Sequence, residues 1–167
     1  MQNKPQKIIA AGPDQESVWD YPRPPLIEAV SERIRVELTG HVVADSTRAL
    51  RVLETASPPT YYVPPEDVDQ AVLLHSPRRS YCEWKGEATY WSLRVTGQRS
   101  PDAAWSYHAP SSPYEALRDF ISFYPSRVSA CWVGDSRVKP QPGGFYGGWI
   151  TPNIVGPFKG EPGTEHW

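Results

Sequence analysis

Apolar and polar positions alternate with a period of two along much of this chain. Arg33-Ile34-Arg35-Val36-Glu37-Leu38 alternates strictly and predicts a strand with Ile34, Val36 and Leu38 inward. Thr39-Gly40-His41 turns the chain into Val42-Val43-Ala44. A third strand is predicted over residues 49–54, although residues 47–53 also fit a helical turn. Pro58-Pro59 closes it, and Tyr61-Tyr62-Val63 follows as a short strand stopped by Pro64-Pro65. Ala71-Val72-Leu73-Leu74, a hairpin over residues 81–95, a strand near residues 103–108 and another over 127–133 complete a β-meander. One helix is predicted near residues 113–121. Ser112 suits its N-cap, Pro113 its first position and Glu115 its first turn, with Leu117, Phe120 and Ile121 as its apolar face. Residues 26–31 read as a single helical turn. The fold class is therefore mainly β: a compact antiparallel domain with one short helix and extended N- and C-terminal arms.

The ends lack this period. Residues 1–25 hold six Pro or Gly and read as an arm lying over the domain, docked through Val18-Trp19-Asp20-Tyr21. From Gly134 the chain is rich in Gly, Pro and rings, with Gly143-Gly144-Phe145-Tyr146-Gly147-Gly148-Trp149 at its centre. The expected organisation is an arm over 1–25, a β domain over 26–133 and a tail over 134–167. Phe145, Tyr146 and Trp149 are expected against the domain or a neighbouring subunit, which leaves a homodimer open.

Charge and cysteine content narrow the function classes. The formal net charge is −2, and basic residues are scattered, so nothing draws the chain to nucleic acid or an anionic membrane. No run approaches a membrane span, and Ile8-Ile9-Ala10-Ala11 is too short for a signal-peptide core. Cytoplasmic localisation is expected. Two cysteines, Cys82 and Cys131, and dispersed histidines cannot build a tetrahedral zinc site, so no metal and no cofactor is expected. Gly143 to Gly148 lack the Lys-Ser/Thr of a phosphate loop.

Chemistry concentrates in Tyr81-Cys82-Glu83-Trp84-Lys85-Gly86-Glu87-Ala88-Thr89-Tyr90-Trp91. Lys85-Gly86 reads as a two-residue turn, because Gly accepts the positive φ such a loop demands. Tyr81 would then face Tyr90 and Cys82 would face Thr89. Cys82, Trp84, Glu87, Thr89 and Trp91 would share a face. Residues 82–91 resemble the hallmark of the bacterial DUF427 family, whose members carry a C-P-[FY]-K-G-[ED]-A-[ST]-Y-[WY] core. Val42-Val43-Ala44-Asp45-Ser46 with Glu54, Tyr61-Tyr62-Val63-Pro64-Pro65-Glu66-Asp67-Val68, and Ala104-Trp105-Ser106-Tyr107 fit the same family. The resemblance covers roughly residues 30–133. Glu83-Trp84 departs from the usual Pro-aromatic pair. The resemblance implies a compact β domain similar to the β-tent of zinc-binding relatives. The family is sometimes labelled nucleotidyltransferase-like, but the Gly-Ser and paired Asp residues of such enzymes are absent here.

The candidate ligand-binding residues are Tyr62, Cys82, Lys85, Glu87, Tyr90, Trp105 and Tyr107, with Ser46 and Glu54 from the family positions. No catalytic residue is assigned. Cys82 also reads as a small buried residue, and Lys85 as a solvated turn lysine. Ser46 and Glu54 also read as partners of loop backbone. Aromatics from several strands point to one cleft with a small polar or planar ligand, Lys85 meeting an anionic or carbonyl oxygen. Rival readings are an enzyme using Cys82, Lys85 and Glu87, and a protein-interaction module built on the aromatic tail.

Overall fold

A computed structural model describes residue 5 and residues 7–167; the part of the N-terminal arm at 1–4 and 6 lies outside the described residues. In chain order the strands are β1 (Glu16–Ser17), β2 (Leu26–Ala29), β3 (Ile34–Leu38), β4 (His41–Ser46), β5 (Leu50–Leu53), β6 (Thr60–Tyr62), β7 (Leu73–Cys82), β8 (Gly86–Val95), β9 (Gln98–Ser106), β10 (Ile121–Phe123) and β11 (Ala130–Val133). Four two-residue strands follow: β12 (Ser136–Arg137), β13 (Lys139–Pro140), β14 (Trp149–Ile150) and β15 (Ile154–Val155). The fold is mainly β, and nearly every pairing is antiparallel. Among the described residues no helix is long and apolar enough to cross a membrane.

Two four-stranded sheets, ordered β10-β9-β8-β7 and β12-β11-β3-β4, supply the main core. The alternation in β3 sends Ile34, Val36 and Leu38 inward, where they meet Leu93, Ala104, Phe123 and Cys131. A three-stranded sheet, β2-β5-β6, joins the larger sheet at its β10 edge through the Val63–Ile121 bridge. The angle between these two sheets holds a second, aromatic cluster containing Tyr62, Tyr90, Trp105, Tyr107, Tyr114 and Tyr124. Pro77 and Pro101 lack an N–H, and each falls where the ladder slips: between His75 and Arg79 in β7, and opposite the Trp91–Leu93 shift of β8. Ser76 Oγ donates to Asp102 Oδ1 at 2.5 Å and ties the two irregular stretches together.

Three expectations need correction. Residues 26–29 form strand β2, paired with β5, rather than a helical turn. The short helix lies at Ser112–Leu117 in 3-10 geometry, with a kink at Tyr114. Ile121, expected on its apolar face, begins β10 instead, because pairing with β9 buries the side chain on a sheet. The hairpin register also differs, each partner on β8 lying three residues earlier than expected. Cys82 pairs with Gly86 and Tyr81 with Glu87, so the loop is Glu83-Trp84-Lys85. Gly86, at φ +106°, serves as the first paired residue after the loop.

Both arms pack. Trp149 is fully buried and donates from Nε1 to the Phe123 carbonyl at 2.9 Å. Its ring lies 4.9 Å from that of Tyr61. β1 and β15 pair in parallel, so the N-terminal arm and the tail form one small sheet.

Candidate functional site

The three-residue register change, being odd, decides which side chains share a face. Period-two alternation now puts Ser80 and Cys82 of β7 on the same face as Ala88 and Tyr90 of β8, and all four line a cavity of about 270 Å³. Glu87, expected beside Cys82, points to the opposite face, exposed, 3.7 Å from Arg79. Trp91 also lies on that far face, where its Nε1 donates to Ser106 Oγ at 2.9 Å.

Lys85 forms the inner end of the cavity. A turn lysine is ordinarily solvated, yet this one is only 8% exposed. The loop folds back under it: the Ser111 N–H donates to the Lys85 carbonyl at 3.0 Å, and Ser111 Oγ donates to the Trp84 carbonyl. The Lys85 ammonium lies 5.8 Å from the Tyr107 ring centroid. Among the described residues no carboxylate comes within 4.0 Å of it. Burial pulls the Lys85 ammonium down, but the Tyr62 and Cys82 side chains, with Glu54, outweigh burial and hold it above its ordinary value.

Aromatic rings make the walls. Trp105 Nε1 donates to Tyr62 Oη at 3.3 Å, and the two rings meet edge to face at 6.2 Å. Tyr107 stands 6.4 Å from Tyr62, and burial first, then neighbouring phenols and Cys82, push its phenol far up. Tyr107 is a neutral donor at any physiological pH. Tyr90 Oη and Ser80 Oγ are 2.7 Å apart, and Arg78 covers the Tyr90 ring at 4.6 Å. Trp105 packs against Tyr124 at 4.7 Å.

Of the residues expected at a site, Tyr62, Cys82, Lys85, Tyr90, Trp105, Tyr107 and Glu54 line this one cavity. Glu54 also faces Arg23 at 3.7 Å. Ser46 lies elsewhere: its Oγ donates to Asp67 Oδ2 at 2.7 Å and accepts from the Arg48 N–H, fixing the turn between β4 and β5. Asp67 and Asp69 serve structure, through Arg48 and His41 respectively. Among the described residues no three His, Cys, Asp or Glu side chains are grouped to hold a metal ion.

Sequence reasoning missed the far wall. Gln141, Phe145, Tyr146, Gly147 and Lys159 of the tail line the same cavity as the hairpin. Two rings bracketed by two pairs of glycines, Gly143-Gly144 and Gly147-Gly148, were the available signal. Gly147 passes so close to Trp105 that a β-carbon there would lie 2.3 Å from the indole ring, so only glycine fits.

The family model described as Domain of unknown function (DUF427) matches residues 26–134. The chain belongs to that family. Comparison with the curated proteins finds no match.

Proposed function

We propose that this DUF427 protein binds a small polar or planar ligand in the aromatic cleft. One observation carries the reading. The Lys85 side chain is nine-tenths removed from water and faces the cavity, and among the described residues no carboxylate lies within 4.0 Å of its nitrogen. A buried charge is costly unless compensated, and an anionic or carbonyl oxygen of a ligand would supply the missing partner. The cavity, about 270 Å³, lies just below the range of about 300–1,000 Å³ for drug-sized sites, which fits a small metabolite. The ring walls supply flat contact area, and the Tyr62 and Tyr107 hydroxyls supply polar tips.

A thermal-shift screen of small metabolites, run on wild type and Lys85→Ala, tests this. Ligands that stabilise wild type should bind Lys85→Ala more weakly by about 1–3 kcal/mol, the loss of one charge-assisted hydrogen bond. Equal binding to both proteins, or no stabilising ligand at all, would sink the reading. A second reading rests on Cys82, whose half-buried thiol lines the cavity and is among the groups that raise the Lys85 pKa. In that reading the thiol adds to the carbonyl carbon of an aldehyde held against Lys85: the C–S bond forms, the C=O π bond opens, and the thiol proton passes to the oxygen, giving a hemithioacetal with no leaving group. A hemithioacetal adduct in the native mass spectrum, heavier by the whole aldehyde and absent in Cys82→Ser, would support it over simple binding.

A further inference from the structure

The rings that face water are unevenly placed. Among the described residues, the large aromatic side chains standing out in solvent are Tyr81 at 78%, Phe145 at 55% and Tyr146 at 38%. Phe145 and Tyr146 stand at the opening of the Lys85 cavity, whereas Tyr81, paired with Glu87, turns to the far face of the hairpin. Isolated exposed apolar residues need no explanation, but exposed rings gathered at one mouth mark a contact surface. Two of the three lie beyond residue 134, outside the stretch that matches the family.

The segment that carries them is fixed at its ends rather than at its rings. Gln141 is buried: its Nε2 donates to the Lys159 carbonyl at 2.7 Å, and its Oε1 accepts from the Gly148 N–H at 3.0 Å. The Arg127 guanidinium donates to the Gly144 carbonyl at 2.9 Å, and Tyr124 Oη donates to the Phe145 carbonyl at 3.0 Å. Gly147 lies flat against Trp105. Backbone is thus held firmly over the cleft while the Phe145 and Tyr146 rings, 5.0 Å apart and edge to face, remain free at the rim.

Charge is uneven in the same sense. Lys85 lies at the inner end, and the Lys159 ammonium sits 5.2 Å from the Tyr146 ring at the outer end. Of the lining carboxylates, Glu54 faces Arg23 at 3.7 Å, and Glu83 is exposed on the loop. Among the described residues Lys85 has no carboxylate within 4.0 Å, so an anionic oxygen would pair with it more fully than a neutral carbonyl.

We propose that residues 141–148, with Lys159, complete the binding site, and that the ligand is a flat, ring-bearing acid. Its anionic oxygen meets Lys85, and its ring lies against Phe145 and Tyr146 at the rim. This rests on the ligand-binding reading above and narrows it: the family domain supplies the anion contact, and the tail supplies the selection for a ring.

Ligand-observed NMR with the full chain tests both halves, using benzoate, benzamide, cyclohexanecarboxylate and inorganic phosphate as probes. Benzoate should bind about tenfold or more tightly than benzamide, the value of one charge-assisted hydrogen bond. It should also bind better than cyclohexanecarboxylate and phosphate. Lys85→Ala should erase the preference for acid over amide. The Phe145→Ala/Tyr146→Ala double variant, altered only at exposed rings, should erase the preference for a flat over a saturated ring and keep that for acid over amide. Benzamide or cyclohexanecarboxylate binding as tightly as benzoate would overturn the proposal. So would a double variant that matches wild type for every probe, or the absence of benzoate binding. Each of those results leaves the broader reading to the metabolite screen, which fails on different grounds: ligands indifferent to Lys85→Ala.

Discussion

Trp149→Ala gives the most direct measure of whether the tail is integral to the fold. Trp149 has no exposed surface and belongs to the main apolar cluster. Truncating a buried Trp costs about 3–5 kcal/mol through lost transfer energy and the cavity left behind. Two local terms push this site to the upper end. The Phe123 carbonyl loses the indole N–H that satisfies it, and the Tyr61 ring loses a partner worth about 0.5–1.5 kcal/mol. The expected loss is about 4–5 kcal/mol. Against the usual domain stability of about 5–15 kcal/mol, this leaves a marginal protein. Urea unfolding followed by far-UV circular dichroism reads the change in midpoint at constant slope. Trp149→Phe serves as control: it keeps a buried ring, loses the N–H, and should cost about 1–2 kcal/mol. A loss below about 1 kcal/mol for Trp149→Ala would refute the claim that the tail shares the core.

Two further outcomes follow from titratable groups of the fold. Burial pushes the Glu16 carboxyl up, but hydrogen bonds from Arg51 and Tyr21 and the Arg51 charge more than offset this and hold it below its ordinary 4.5. A depressed carboxyl contributes stability above its unfolded pKa and loses it as pH falls through the folded one, so unfolding free energy should drop below pH 4.5, and Glu16→Gln should flatten that drop in urea titrations. Cys131 is fully buried, with its thiol pushed far up by desolvation, whereas Cys82 is half-buried in the cleft. A native thiol assay with an aromatic disulfide should therefore label Cys82 alone; labelling of Cys131 without denaturant would contradict the packing.

Strands were legible where one face is buried and the other wet. The Ile34, Val36 and Leu38 alternation carries its own register, because a slip by one residue would put all three into water. The hairpin register was not legible, because two loops of different length fit Trp84-Lys85-Gly86. Burial of Lys85 under the Ser111 segment, a contact made from a distant loop, selects the longer one. The apolar set Leu117, Phe120 and Ile121 fits a helix by local spacing, but Ile121 is claimed by β9, showing long-range pairing overriding local pattern. Aromatic candidates from three segments share one buried cluster, since large rings in a small β domain have few places to go. Their partners in the tail were not legible, because two-residue strands leave no period to detect.

The parallel pair of β1 and β15 has a consequence for synthesis. Trp19 Nε1 donates to the Pro157 carbonyl across 138 positions of chain. At the ribosomal rate of about 5–20 residues per second, about 7–28 s separate the emergence of the two partners. Throughout that interval Val18 and Tyr21, buried in the finished molecule, have no Ile154 to pack on. This contact is among the most distant in sequence, the kind that folds slowly. Translation rate and chaperone holding of the nascent N-terminal arm thus become variables that set the yield of native protein in a cell.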